Sequence, residues 1–316
     1  MTARLSHCIA IVTGASRGAG RGIAIELGAA GATVIVTGRS TRAHAPAGYD
    51  GILGLSGMNT PPGTIEDTAE AVTAAGGRGI AMAGDHGNPG AVEALVAQVE
   101  AEVGDIDLLV NNAWGGHESF DGRFEAPFWE HPLSHWAAMM DGGARLHLIA
   151  ARAVAPRLAA RGRGLIVATT FWDRNRPLRG NLYDDLAKAA INRLAFAIAE
   201  ELRPKGVASL ALSPGWMRTE WVLAGQRTDE AHWHEVPALA RTESPRYLGR
   251  AVAALSADQD VMRHSGQVLR VVNRSASTLA RPAKTPASCA PPGKSRSTGP
   301  VPRCSTWIDA PGTGTV

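Results

Sequence analysis

Apolar positions along the chain follow two rhythms. Seven short, nearly unbroken aliphatic runs stand at 8–13 (CIAIVT), 33–37 (TVIVT), 79–83 (GIAMA), 106–110 (IDLLV), 165–170 (LIVATT), 207–212 (VASLAL) and 267–272 (QVLRVV). They have the length and β-branched content of strands covered on both faces. Between them, apolar residues recur at three- and four-residue steps, which predicts amphipathic helices. These cover the residues after the first run (GIAIELGAAG), Thr64 to Ala75, Pro89 to Val103, Leu133 to Ala160, Asn181 to Leu202 and Pro245 to Ser256. Thr64, three before Asp67, reads as an N-cap. The fourth of these helices is expected to break near Gly142-Gly143 and at Pro156, since proline lacks the helical donor.

In the fifth, Leu186, Ala190, Ile191, Leu194, Ala197, Ile198 and Leu202 form the predicted buried stripe. Lys188, Arg193, Glu200 and Glu201 lie mostly off it, and Pro204 with Gly206 ends it. Strands alternating with helices require crossover connections, hence a doubly wound α/β fold of the Rossmann type with a parallel sheet of about seven strands. In such a sheet the site belongs at the carboxyl ends of the strands.

Composition narrows the class without changing the picture. The chain has 316 residues, 45% hydrophobic and 19% charged, with net charge +3. Its basic residues are dispersed, so the footprint of a nucleic-acid binder is missing. No run reaches the roughly 18 apolar residues of a membrane span, and the amino terminus is too short in apolar residues for a signal peptide. A soluble, cytoplasmic protein is expected. Cys8, Cys289 and Cys304 have no metal-ligand spacing, and Cys8 reads as a small core residue. More than half of residues 274–316 are Pro, Ser, Thr or Gly, which predicts a disordered tail after a single domain over residues 1–273.

The first strand runs into GASRGAG and then a helix. A helix N-terminus presents unpaired N–H groups and partial positive charge, so this is a pyrophosphate site, with Gly14, Gly18 and Gly20 admitting close approach and Ser16 and Arg17 beside them. The second strand ends at Gly38-Arg39-Ser40, where dinucleotide folds place either an acid for a ribose hydroxyl or a base for a 2′-phosphate. Arg39, with Arg17 and Ser40, predicts NADP(H) over NAD(H). Asp85, at the end of the third strand, is placed to meet the adenine, with a simple cap or turn role as the alternative. Seven of the eight tryptophans lie between Trp114 and Trp233, so an apolar substrate wall competes with simple loop anchoring. His117, Glu118, Asp173 and Arg174 are further polar loop residues, for which contact with a polar substrate group competes with plain solvation.

In this order, Thr13-Gly14 with Gly18 and Gly20, Asn111-Asn112-Ala113, and Pro214-Gly215 with Thr219 resemble the TGxxxGxG, NNAG and PGxxxT segments of the short-chain dehydrogenase/reductase family over about residues 5 to 272. The wording around residues 164 to 221 is similar to a branch with a tryptophan after NNA. The resemblance implies a homo-oligomeric oxidoreductase interconverting a small-molecule carbonyl and an alcohol. It also implies that Asn112, Ala113, Pro214, Gly215 and Thr219 help hold the cofactor. Lys188 takes the nicotinamide ribose, and a hydroxyl at Thr170, or Thr169 beside it, steadies the oxyanion. The family's proton donor is a tyrosine four residues before the lysine.

That position holds Asp184, and Tyr183 lies five before Lys188. Four residues put two side chains on one helix face, whereas five rotate them apart by about 140°. An aspartate is already ionised near neutral pH and has no proton to give. Either a late helix start or a π-type bulge swings Tyr183 into the site, or Asp184 pairs with Lys188 and turnover is weak. The family's helix asparagine maps to Gly143. Trp114 takes the place of the last NNAG glycine, leaving Gly115 to supply its backbone role.

Overall fold

The computed structural model describes residues 4–44, 63–118, 126–172 and 181–271. The tail from 274 onward, Asp173 and Arg174 lie outside them.

Seven strands, β1 (Ile9–Thr13), β2 (Thr33–Gly38), β3 (Arg78–Ala83), β4 (Leu108–Asn111), β5 (Gly164–Thr169), β6 (Val207–Ser213) and β7 (Val268–Arg270), form one parallel sheet in the order β3-β2-β1-β4-β5-β6-β7. The order reverses direction at β1, between β2 and β4, which is where a doubly wound sheet opens its ligand crevice. The seven runs read from the sequence are these strands, with ends shifted by one or two residues.

The helices are α1 (Gly18–Ala29), α2 (Ile65–Ala74), α3 (Pro89–Glu102), α4 (Ser134–Met139), α5 (Arg145–Arg161), α6 (Leu182–Leu202), α7 (Glu220–Gly225) and α8 (Pro245–Ser256). Helices α3 and α5 cover one face of the sheet: Val96, Val99, Val154 and Leu158 pack on Ile11, Ile35, Leu109 and Ile166. On α1, Gly22 lies against the Pro245 backbone of α8, where a Cβ would sit 2.4 Å from carbonyl carbon. Thr64 caps α2 through a reciprocal capping box with Asp67, and Asn88 caps α3. No helix among the described residues is long and apolar enough to cross a membrane.

Two local expectations change, and one between them is met. Helix α5 runs through Pro156 without a break. Ile149, Ala150, Ala153, Val154 and Leu158, on both sides of the proline, are buried in the same core, and that packing outweighs the roughly 3 kcal/mol penalty of an interior proline. Near Gly142-Gly143 the chain does depart from α geometry, as a π turn over Met140–Ala144. The second change concerns α6. Its buried residues are Tyr183, Asp184, Ala187, Ile191, Asn192, Ala195 and Ala199, while Leu182, Leu186 and Phe196 face outward. The small alanines let the helix approach β6 closely enough for the Ser209 hydroxyl to donate to the Ala195 carbonyl at 3.0 Å. Cys8 precedes β1 and is partly buried, and burial, assisted by Asp107, pushes its thiol up to about 12.

Candidate active site

A cleft of about 600 Å³ opens at the carboxyl ends of the strands, around the β1 switch point, within the range of small-molecule sites. Gly14, Ser16 and Arg17 of the glycine loop line it, as do Arg39 and Ser40 at the end of β2 and Asp85 after β3. Asn112, Ala113 and Thr219 complete the predicted set that meets there. The Arg17 guanidinium donates to Ser40 Oγ at 2.7 Å and to the Gly63 carbonyl, so two of the three residues predicted to take a 2′-phosphate are already linked. Arg39 pairs with Glu118.

The glycine loop is tied to the end of β4. Thr13 Oγ1 accepts from the Asn112 and Ala113 N–H groups at 2.9 and 3.0 Å, and Asn112 Nδ2 donates to the Thr13 and Gly14 carbonyls. Gly14 has φ +62°, and a Cβ there would stand 2.7 Å from Ala113 Cα. Gly18 also has positive φ, and its N–H is the first of α1. At Gly20 a Cβ would lie 2.4 Å from the Gly14 carbonyl oxygen and 2.5 Å from Asn112 Nδ2. These bare backbones form a cradle that side chains would fill, as a bound pyrophosphate needs. Gly20→Ala is expected to push the loop off its Asn112 anchor, lowering stability by about 1–3 kcal/mol and weakening nucleotide binding. Thermal unfolding and a nucleotide titration check it.

The loop after β6 is held elsewhere. Gly215 N–H, next to Pro214, donates to Glu243 at 2.9 Å, and Thr219 caps α7 by accepting from Val222 N–H. Pro214, Gly215, Gly18, Gly20, Lys188, Thr170, Tyr183 and Asp184 do not line the cleft among its described residues.

Helix α6 starts at Leu182 and is regular, so neither a late start nor a bulge brings Tyr183 round; the π turn belongs to the α4–α5 junction instead. Tyr183 packs with Met139 and Ala187 and faces the rings of His131 and His135, at centroid distances of 6.4 and 6.1 Å. Asp184 is 3% exposed. Among the described residues the partner of its carboxylate is not Lys188 but His117, with Nε2 hydrogen-bonded to Oδ2 at 3.2 Å. Burial pushes the Asp184 carboxyl up, yet the His117 hydrogen bond and the Lys188 charge outweigh it and hold the group below its ordinary value. It is a carboxylate at neutral pH.

Trp114 explains why the expected Asp184–Lys188 pair is absent. The Lys188 ammonium sits 3.1 Å from the centroid of the Trp114 ring, while the indole N–H donates to His117 Nδ1 at 3.2 Å. The ring face satisfies the cation without a carboxylate. Burial lowers Lys188 to about 8, against the opposing influence of Asp184. Gly143 makes this possible, because a Cβ there would lie 2.4 Å from the indole. Gly115 lines the cleft, and its N–H donates to the Gly142 carbonyl at 2.6 Å.

The Thr170 hydroxyl donates to the Lys188 and Phe171 carbonyls, and that of Thr169 to Asn112 Oδ1. Of the tryptophans, Trp114 and Trp221 line the cleft, whereas Trp129, Trp136 and Trp216 are more than half exposed. Sequence reasoning missed His86, Leu146 and Glu220. Only His86, adjacent to Asp85 at a strand end, carried a local signal. No group of three metal-ligating side chains occurs among the described residues.

A parallel sheet with its order reversed at a glycine-cradled helix N-terminus defines a dinucleotide-fold protein. Comparison with known proteins makes this specific. A family model described as enoyl-(acyl carrier protein) reductase matches residues 57–271. The mouse "dehydrogenase/reductase SDR family member 1" is 34% identical over 275 residues, covering 85% of this chain and 81% of that protein. A crystal structure of a short-chain dehydrogenase from Mycobacterium thermoresistibile shares 26% identity at a TM-score of 0.67, covering 85% of each chain. A metagenomic short-chain oxidoreductase in complex with NADP is 26% identical at a TM-score of 0.62, covering 84% of this chain and 98% of that one. The chain belongs to the short-chain dehydrogenase/reductase family, oxidoreductases that bind nicotinamide cofactors and act on the CH–OH/C=O pair.

Proposed function

We propose that the protein is an NADP(H)-dependent oxidoreductase interconverting a carbonyl and an alcohol, with its proton step weakened. The observation that carries this reading is the meeting of Arg17, Arg39 and Ser40 at one end of the glycine-cradled cleft. Two guanidinium groups and a hydroxyl suit a 2′-phosphate, and no acid ends β2 to hold a bare ribose. The dinucleotide's pyrophosphate belongs at the N-terminus of α1, and its nicotinamide beside Ala113 and Thr219. When bound, the nicotinamide supplies or accepts hydride.

The chain's own part is to position the substrate oxygen and manage its proton. In this reading Lys188 holds the nicotinamide ribose and Thr170 steadies the oxyanion. Asp184 occupies the acid position as a carboxylate, able to accept a proton weakly but not to donate one. Trp114, Trp221 and Leu146 give the cleft apolar wall for an apolar carbonyl compound.

One observation favours a second reading, in which the protein binds NADP(H) with little turnover: the Trp114 ring covers the Lys188 ammonium. A binding titration with NADPH and NADH, followed by an absorbance screen of carbonyl compounds, separates the two. The Arg39→Ala variant is expected to lose about tenfold or more in NADPH affinity, the value of a charge-assisted contact, while NADH binding changes little. Equal effects on the two nucleotides sink the NADP(H) assignment.

A further inference from the structure

Both places where the cofactor reading puts a phosphate are contacted by carboxylates of this chain. The Gly18 N–H, at the start of α1, donates to Glu220 Oε2 at 2.8 Å, and Arg21 approaches the same carboxylate at 3.9 Å. At the other subsite Glu118 pairs with Arg39. This second pair links the loop after β4 to the end of β2, and β1 lies between those strands. The contact therefore spans the end of β1, over the glycine loop. Glu220 is the first residue of α7 and is next to Trp221, which lines the cleft.

We propose that Glu118 and Glu220 are internal competitors of the cofactor's phosphates, and that Glu118 is a determinant of the choice between NADP(H) and NAD(H). The proposal rests on the cofactor reading above. A phosphate oxygen and Glu220 Oε2 cannot both occupy the Gly18 N–H, and two anions there repel each other. Glu220 must leave for a pyrophosphate to bind, so binding frees the start of α7. Because both cofactors carry a pyrophosphate, Glu220 weakens them equally. Glu118 acts differently: only a 2′-phosphate has to take Arg39 from it, so it penalises NADP(H) selectively and narrows a preference that Arg39 alone would make wide.

The test is a titration of NADPH and of NADH, by calorimetry and by quenching of tryptophan fluorescence, in the wild type and in Glu220→Gln, Glu220→Asp, Glu118→Gln and Glu118→Ala. Each charge-assisted contact corresponds to roughly a tenfold change in affinity. Glu220→Gln is expected to tighten both nucleotides by about 5- to 20-fold. Glu220→Asp, which keeps the charge but shortens the reach, is expected to tighten both less. Both Glu118 variants are expected to tighten NADPH by about 5- to 20-fold and NADH by less than about twofold. Without added nucleotide, trypsin is expected to cut after Arg227, in the turn that follows α7, faster in Glu220→Gln than in the wild type.

Unchanged or weaker NADPH binding in folded variants, or equal gains for both nucleotides in the Glu118 variants, overturns the proposal and leaves the cofactor reading standing. If the wild type and all four variants bind neither nucleotide, the cofactor reading falls and takes the proposal with it.

Discussion

Replacing Asp184 with tyrosine is expected to raise the rate of NADPH-dependent carbonyl reduction by about 10²–10⁴, the usual contribution of a positioned general acid. Position 184 lies four residues before Lys188 on a regular helix, so a phenol there shares the lysine's face. A neutral phenol holds a proton to donate, and the nearby ammonium stabilises the phenolate left behind. Asp184 can do neither, because the His117 contact and the Lys188 charge keep it ionised. Tyr183→Phe is the control: its ring faces His131 and His135 rather than Lys188, so the rate should hold. Initial rates settle both points, with thermal unfolding and an NADPH titration confirming that each variant folds and binds. A well-folded Asp184→Tyr protein that binds NADPH but is no faster defeats the argument. Loss of a robust wild-type activity in Tyr183→Phe defeats the register assignment.

The second large effect is on stability in mild acid. His86 and His147 are both buried, at 6% and 1% exposure. Burial lowers His86 to about 4, with Asp85 opposing and Arg39 assisting. Burial and then the Lys188 charge lower His147 to about 3, against a backbone hydrogen bond at Ala113. With folded values below the ordinary 6.5, the unfolded chain binds the extra protons first as pH falls. Stability should therefore be intact above about pH 6.5 and decline toward pH 4 and 3, by several kcal/mol in all. Lys188, lowered to about 8 from 10.5, has the same sign in another window: its penalty is full below pH 8 and is relieved as pH rises toward 10.5. Urea unfolding of the wild type and of a His86→Gln, His147→Gln double variant at pH 7 and 4.5 checks the histidine effect. The wild type should lose clearly more stability than the variant, and equal losses would refute the assignment.

What could be read from the sequence was what neighbouring residues decide. The range of α8, the Thr64 N-cap and the places of the seven strands along the chain follow from local period and turn chemistry. So does the offset of Tyr183 from Lys188, a matter of counting along one helix. Pro156 was misread because its cost is local, whereas the packing that overrides it comes from β-strands distant in sequence. The stripe on α6 was misread because apolarity alone does not distinguish alanines pressed on a sheet from leucines facing out. Glu220 at Gly18 and Glu118 at Arg39 join residues 202 and 79 apart. Nothing in the wording of either segment announces the other, and α7, a six-residue helix, is too short to show a period.

Trp114 and Gly143 carry one more implication. The indole fills the space that any side chain at 143 would need, and it also seats the Lys188 ammonium. The two positions are therefore sterically coupled, so that a change at 143 forces a change at 114. Any side chain placed at 143 has to displace the indole at 114, and in doing so uncovers the Lys188 ammonium.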